Sequence, residues 1–120
     1  MPGATTTVLY PAGASTLSTL YHFSFPRLTS SGTKFNMDYY MSTHMPLVYS
    51  KWSQYGLKSW RVLQMSSDAP YLVAAMLEWG DITEFQKAAQ GPEVQEVMGD
   101  VKNFADKEPV LFTGSVEGTS

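Results

Sequence analysis

Four segments rich in β-branched and aromatic residues have the pattern of β-strands. They are Thr5–Tyr10, Leu57–Met65, Tyr71–Trp79 and Pro109–Val116. Pro11 ends the first segment, because proline brings no backbone N–H to a sheet. The polar link between the second and third segments ends in Pro70 and has the length of a hairpin connection. We therefore expect these two strands to pair.

Apolar side chains recur every three or four residues between the first two strands, which predicts a helix. This apolar stripe consists of Met37, Tyr40, Met41, His44, Leu47, Val48, Trp52 and Tyr55. Asn36 or Asp38 is expected to cap the helix, and Gly56 to end it. Pro46 lies inside the pattern without a backbone donor, so we expect the helix to kink or restart near it.

A second helical region follows the third strand. Asp81 and Glu84 have the spacing of a capping box, and Gly91-Pro92 separates the helix from a shorter one. The predicted inner stripe of the first of these helices is Ile82, Phe85, Ala88 and Ala89, and that of the second is Val94, Val97, Met98 and Val101. The order strand, helix, strand, strand, helix, strand predicts an α+β protein with the ferredoxin-like βαββαβ arrangement.

The third strand is apolar on both faces. One face holds Tyr71, Val73, Ala75, Leu77 and Trp79, and the other holds Leu72, Ala74 and Met76. A sheet in a small antiparallel domain usually leaves one face to water, so apolar residues on both sides indicate that each face is covered. Helices are expected to cover one face and a second subunit the other.

Length, composition and charge restrict the class of protein. A chain of 120 residues predicts one domain, and the lack of cysteine excludes thiol nucleophiles, thiolate metal sites and disulfides and favours a cytoplasmic location. A formal net charge of −3 with no basic cluster argues against nucleic-acid binding. No apolar run approaches the roughly 20 residues that a membrane helix needs, so no membrane association is expected.

A Ser/Thr-rich segment at residues 14–33 separates the first strand from the first helix. Within it, Tyr21–Phe25 alternates apolar and polar positions before Pro26, as a short edge strand does, so it competes with Thr5–Tyr10 for the role of first strand. A loop of this length is uncommon in a compact domain unless it has its own structure or a role. His22, on the polar side of this stretch, is interpreted as solvated surface.

His44 is the leading candidate for chemistry, since histidine is the side chain that exchanges protons near neutral pH. It lies in the middle of the apolar stripe, where desolvation favours the neutral imidazole. The alternative is a core histidine whose nitrogens have found structural partners. Tyr40, one helical turn earlier, is placed to orient the imidazole or hold a ligand oxygen. Helix capping already explains Asp38, and a turn explains Asp100.

Aromatic residues make up 13% of the chain, and there are seven methionines, which suits a cavity for flat apolar ligands. The candidate walls of such a cavity are Met37, Met41, Trp60, Met76, Trp79 and Phe85. Aromatic residues at these spacings, such as Trp60, Trp79 and Phe85, are more often ordinary core residues. No metal-ligand cluster, phosphate loop or nucleophile elbow appears, so the sequence predicts no metal and no cofactor, and favours cofactor-free proton chemistry.

Two blocks of the chain resemble the EthD family, named for an ether-degradation accessory protein. Lys34–Val48 is similar to the family's F-D-x-x-Y-Y-x-x-x-H-x-P-L/M-V stretch, and Val97–Val110 is similar to its second block. The resemblance covers residues 5–10 and 34–116. It identifies His44 with the family histidine and Asp38 and Tyr40 with its neighbours, as catalytic candidates. Residues 14–33 depart from the family pattern as an insertion, which is interpreted as a lid, an added edge strand or a loop.

The resemblance implies a dimeric α+β barrel in which two ferredoxin-like subunits pack their sheets face to face. Family members in fungal aromatic polyketide pathways are described as decarboxylases or dehydratases. The leading hypothesis is a single-domain, cofactor-independent lyase or aldol-type cyclase acting on a small aromatic or polyketide-derived compound, with His44 as general acid or base. The alternatives are an accessory dimer that carries a hydrophobic molecule unchanged, and a cofactor-free or heme-type monooxygenase of the same barrel superfamily.

Overall fold

The computed structural model describes residues 3–12 and 35–120. Its strands are β1 (Ala4–Pro11), β2 (Leu57–Gln64), β3 (Tyr71–Trp79) and β4 (Val110–Ser115). Its α-helices are α1 (Met37–Tyr39), α2 (Met45–Trp52), α3 (Ile82–Gln90) and α4 (Glu93–Gly99). A π-helical turn at Tyr40–His44 joins α1 to α2, and short 3₁₀ turns lie at Ser53–Tyr55 and Val101–Asn103. None of the helices in these ranges is long and apolar enough to cross a membrane.

The four strands form one antiparallel sheet in the order β2-β3-β1-β4. This order, together with helices after β1 and after β3, is the ferredoxin-like arrangement, so the predicted α+β fold class is confirmed. The predicted strands lie within one or two residues of the observed ones. The competing strand at Tyr21–Phe25, the insertion at 14–33 and His22 lie outside the described residues.

The side chains of β1 alternate strictly between the core and the opposite face. Ala4, Thr6, Val8 and Tyr10 point to the helices and are buried. Val8 pairs with Ala75 of β3 in register, which places apolar residues of neighbouring strands side by side. The buried hydroxyl of Thr6 has its own partners, because it accepts from Trp79 Nε1 at 3.0 Å and contacts Thr113 Oγ1 at 2.8 Å.

The first helix restarts next to Pro46, as predicted. Asn36 is its cap, with Oδ1 accepting from the N–H of Tyr39 at 3.0 Å. The N–H of Met45 then bonds to the carbonyl of Tyr40, five residues back, and α2 starts with the proline in its first turn. The wide turn rotates everything after it relative to α1. As a result Met41, predicted on the apolar stripe, faces solvent (40% exposed), whereas Met45 is buried (1% exposed).

The second helical region matches the predicted capping box. Asp81 caps α3, and Glu84 Oε1 accepts from the N–H of Asp81 at 3.2 Å and of Gly80 at 2.8 Å. Ala88 is fully buried, whereas Ala89 is exposed, so the predicted inner stripe was one residue too wide. The helix ends at Gly91, and α4 begins after Pro92.

One face of the sheet packs on the helices, and we call the other the open face. Its apolar members are Leu9, Leu63, Leu72, Ala74, Met76, Val110 and Phe112. Leu63, Val110 and Phe112 are exposed, the last by 55%. The prediction that β3 is apolar on both faces is thus correct, and within residues 3–12 and 35–120 no element packs over the outer one.

Candidate active site

His44 and Asp100 form a hydrogen-bonded pair at the junction of the two helical regions. His44 is the last residue of the π-helical turn, and Asp100 follows the last residue of α4. The distance from His44 Nδ1 to Asp100 Oδ2 is 2.9 Å, and the side chains are 5% and 11% exposed. A carboxylate accepts only, so Nδ1 carries the proton, and the lone pair of the neutral ring lies on Nε2.

Asp100 is fixed by two further donors. The Tyr39 hydroxyl donates to Oδ1 at 2.7 Å, and Asn103 Nδ2 donates to the same oxygen at 2.9 Å. Burial raises the pKa of Asp100, but the hydrogen bonds from Asn103, Tyr39 and His44 outweigh it and leave this pKa below its ordinary value. Asp100 therefore stays ionised at neutral pH, and its orientation toward the imidazole is set by three contacts.

The imidazole of His44 is held in its neutral form. Burial lowers the pKa of His44 below 6.5, and the hydrogen bond and charge of Asp100 oppose this effect without cancelling it. The ring is therefore uncharged at neutral pH and has a free lone pair. A neutral imidazole with an orienting carboxylate behind it is the arrangement of a general base.

Aromatic rings enclose the imidazole. Tyr40 stacks on it with ring centroids 5.3 Å apart and an interplanar angle of 14°, and Phe104 lies 4.5 Å from it. Tyr10 meets Tyr40 edge to face at 5.6 Å. Burial raises the pKa of both tyrosines, so their hydroxyls are protonated at neutral pH. The contact of Tyr40 with His44 is made by the face of the phenol ring, because the two rings are stacked.

A narrow cavity between the sheet and the helices reaches the imidazole. Its lining among the described residues is Val8, Tyr10, Tyr40, His44, Met45, Val48, Trp52, Ala75, Leu77, Val97, Met98, Val101, Pro109 and Leu111. About 20 Å³ of the cavity can take the centre of a water molecule, which is room for roughly one water. Met98 and Leu111, 40% and 37% exposed, form the part of the wall that reaches solvent.

The six predicted wall residues lie elsewhere. Met41 is turned outward by the π-helical turn, and Met37 packs at the edge of the core. Met76 is on the open face, where its sulfur accepts from Arg61 at 3.8 Å. Alternation along β3 assigns residue 76 to the face away from His44, so Met76 does not line the cavity at the imidazole.

The predicted tryptophan and phenylalanine walls belong to the opposite end of the core. Trp79 bonds to Thr6 and packs against Phe85 with centroids 5.6 Å apart. Trp60 packs at the edge of the same core. None of these three lines the cavity at His44. Aromatic content alone does not distinguish a core residue from a pocket residue, and these are core residues.

The carboxylate beside His44 is Asp100, and the structure does not bring Asp38 to the imidazole. Asp38 is exposed in the first turn of α1, behind the Asn36 cap. Asp100 lies in the second EthD-like block, and this position was its signal in the sequence. A local turn was a sufficient explanation for an aspartate there, so Asp100 was not among the predicted catalytic residues. Across residues 3–12 and 35–120, no group of three His, Asp or Glu side chains is arranged to hold a metal ion.

Solved structures resemble this chain over nearly its whole length. An EthD-like protein from Ralstonia eutropha is 21% identical over 100% of this chain and 96% of its own, with a TM-score of 0.71. An ethyl tert-butyl ether (EthD) family protein from Bacillus halodurans is 19% identical over 95% and 97%, with a TM-score of 0.59. A dimeric ferredoxin-like protein from an uncultured marine organism is 12% identical over 100% of both chains, with a TM-score of 0.56.

The chain has the ferredoxin-like fold of these proteins. Two of the three carry EthD in their names, in agreement with the resemblance in the blocks at residues 34–48 and 97–110. No protein-family model matches the sequence, and no curated protein is similar to it. The fold hosts varied functions, so any activity has to be argued from the site.

Proposed function

We propose that this protein is a cofactor-independent acid–base enzyme of the lyase or cyclase type. It would catalyse decarboxylation, dehydration or aldol-type cyclisation of a small aromatic or polyketide-derived compound. The observation that carries the proposal is the His44–Asp100 pair, in which a neutral, oriented imidazole borders an apolar cavity.

His44 Nε2 removes and returns a proton in this mechanism. In a dehydration, Nε2 takes a proton from a carbon next to a carbonyl, and the electron pair of that C–H bond forms the new double bond. The imidazolium then gives its proton to the departing hydroxyl, which leaves as water. The Asp100 carboxylate, 2.9 Å away, stabilises the imidazolium and keeps the ring in one orientation.

The apolar lining supports a hydrophobic substrate. Valine, leucine, methionine and proline side chains make up most of the cavity, and no lysine or arginine lies among its described members. Such walls exclude water from the imidazole and position a flat ring by shape. The hydroxyls of Tyr10 and Tyr40 are polar groups on this wall, and Tyr40 donates to Tyr10. The O–H of Tyr10 is therefore the candidate donor to a ligand oxygen.

The test is a turnover assay on a panel of aromatic β-keto acids and β-hydroxy ketones, with products followed by mass spectrometry. His44→Gln and His44→Ala should lower turnover by about 10²–10⁴-fold, the usual contribution of a general acid or base. Thr43→Ala, an exposed neighbour in the same turn, is the matched control and should leave turnover unchanged. Binding without any product would contradict the enzyme and favour the carrier, and full activity of a folded His44→Gln would remove His44 from the mechanism.

We also propose that the open face pairs with a second copy of the chain. Exposed apolar side chains on the two edge strands, β2 and β4, lie on either side of the apolar residues of β3 and β1, and a monomer would leave this surface in water. One of the proteins with the same fold is itself described as dimeric. Face-to-face packing of two sheets would give the dimeric barrel that the sequence resemblance implies.

A further inference from the structure

The indole N–H of Trp52 is a buried donor that meets no acceptor within residues 3–12 and 35–120. The residue is 2% exposed, and its Nε1 has no hydrogen-bond partner there. Trp79 is equally buried, yet its Nε1 donates to Thr6 Oγ1 at 3.0 Å. Buried donors are nearly always satisfied in folded proteins, because an unmade hydrogen bond costs free energy, and an exception often marks the place of a bound molecule.

Trp52 lines the same cavity as His44. Residues 44, 48 and 52 follow one another at intervals of four, so they lie on one face of the helix, with Val48 between the two polar side chains. Two helical turns separate His44 from Trp52, about 12 Å along the axis. The cavity therefore has His44 toward one end, Trp52 toward the other, and an apolar wall between them.

We propose that Trp52 Nε1 is the anchor for a neutral hydrogen-bond acceptor on the ligand, and that the site selects flat apolar molecules with a ketone or quinone oxygen far from the reacting group. An indole N–H only donates, so the matching ligand atom must accept. The acceptor is neutral because no described cation lines the cavity to compensate a buried carboxylate. This inference rests on the proposed function, since it takes the cavity to be the ligand site.

The present volume of the cavity sets a condition on binding. Space for roughly one water is too little for a ring, so the wall must open. Met98 is the side chain best suited to move, because methionine is unbranched and flexible and this one already reaches solvent. A ligand that enters here brings its acceptor to the Trp52 N–H, which has no partner among the described residues.

The experiment compares 2-acetylnaphthalene with 2-ethylnaphthalene, which share size and shape and differ in one carbonyl oxygen. Binding is measured by tryptophan fluorescence quenching, and each indole N–H is followed by ¹H–¹⁵N NMR. The ketone should bind about 3–10-fold more tightly, the effect of one additional neutral hydrogen bond. The Trp52 Nε1 proton should move downfield with the ketone alone.

Trp52→Phe keeps an aromatic ring and removes the N–H, so it should abolish the preference for the ketone. Trp60→Phe is the matched control, because Trp60 does not line the cavity, and it should preserve the preference. The NMR arm uses the unmodified chain, so the proposal stays testable if Trp52→Phe is unstable.

Equal affinity for the two naphthalenes, or an unmoved Trp52 signal, would overturn the anchor, as would a failure of both to bind. The two proposals separate in the His44→Gln variant. If His44→Gln loses turnover and still prefers the ketone, both proposals are supported. If His44→Gln loses turnover but the unmodified chain shows no preference for the ketone, only the enzyme is supported and the anchor is refuted.

Discussion

His44 Nδ1 lies 2.9 Å from Asp100 Oδ2, and the two residues are 56 positions apart in the sequence. The contact joins the end of a π-helical turn to the residue after α4, so it forms only when both helical regions have packed on the sheet. It converts an isolated histidine in an apolar stripe into an oriented base. Tyr39 and Asn103 hold the carboxylate from the other side.

Asp100→Asn should lower turnover strongly, by about 10²–10⁴-fold, because the carboxylate both orients the imidazole and stabilises its charged form. Asp38→Asn, in contrast, should leave turnover within about twofold, since that side chain is exposed and away from the imidazole. The paired measurement of kcat/KM decides between the two acids. A larger loss in Asp38→Asn would restore the assignment drawn from the first EthD-like block.

The pKa of His44 should lie below 6.5, because burial outweighs the influence of Asp100. In Asp100→Asn it should fall further, since the groups that raise it are then removed. NMR titration of the imidazole in a His22→Gln background gives both values, because the chain has two histidines. A general base acts in its unprotonated form, so kcat/KM should rise with pH up to the pKa of His44 and stay constant above it. An imidazole pKa above 6.5 would contradict the burial argument.

The same lowered pKa predicts a pH-dependent stability. Above pH 6.5 the imidazole is neutral in both the folded and the unfolded chain, so its contribution to the free energy of unfolding is fully present. Below this pH the unfolded chain binds the proton first, and the contribution is lost as the pH falls through the folded-state pKa. Denaturant unfolding at about pH 7.5 and about pH 5.5 should show a greater loss for the unmodified chain than for His44→Gln. An equal loss of unfolding free energy in the unmodified chain and in His44→Gln would contradict the lowered pKa of His44.

Phe112→Asp should convert the proposed dimer into a monomer, because it places a charge at the most exposed apolar side chain of a surface that would be buried against a second sheet. Tyr49→Asp is the control, since Tyr49 is also a large exposed apolar residue but lies on α2 in the helical layer. Sedimentation at micromolar concentration should give a dimer for the control and a monomer for Phe112→Asp. A monomeric unmodified chain would refute the pairing of the open faces.

Gly56→Ala should destabilise the fold by about 1–3 kcal/mol, the usual cost of a strained backbone position. Gly56 has a φ of +122°, and a Cβ there would overlap the Glu84 carboxyl group that completes the α3 capping box. Gly99→Ala is the control, because a Cβ there meets nothing within 4 Å at the end of α4. The free energy of unfolding of Gly99→Ala should differ from that of the unmodified chain by less than about 1 kcal/mol. Equal effects in the two variants would contradict the role given to Gly56.

The sequence by itself determined the elements and their order. Alternation along Thr5–Tyr10 and Tyr71–Trp79, the Asp81 capping box and the stop at Gly56 are local signals, because each depends on side chains within one turn or one strand. The restart near Pro46 followed from its missing N–H. These signals were sufficient for the ferredoxin-like order. The place of His44 in the apolar stripe singled it out, and the resemblance to EthD agreed with that choice.

Only the tertiary structure decided the partners of His44. The choice of Asp100 over Asp38 depends on a contact across 56 positions, which no local period encodes. The outward position of Met41 and the burial of Met45 depend on the extra residue in the π-helical turn, which shifts the phase of the stripe. Trp52 and Trp79 have different roles because the Trp79 N–H donates to the Thr6 hydroxyl on β1, whereas the Trp52 N–H meets no acceptor among the described residues. Periodicity fixes which face of an element is apolar, whereas packing fixes what that face meets.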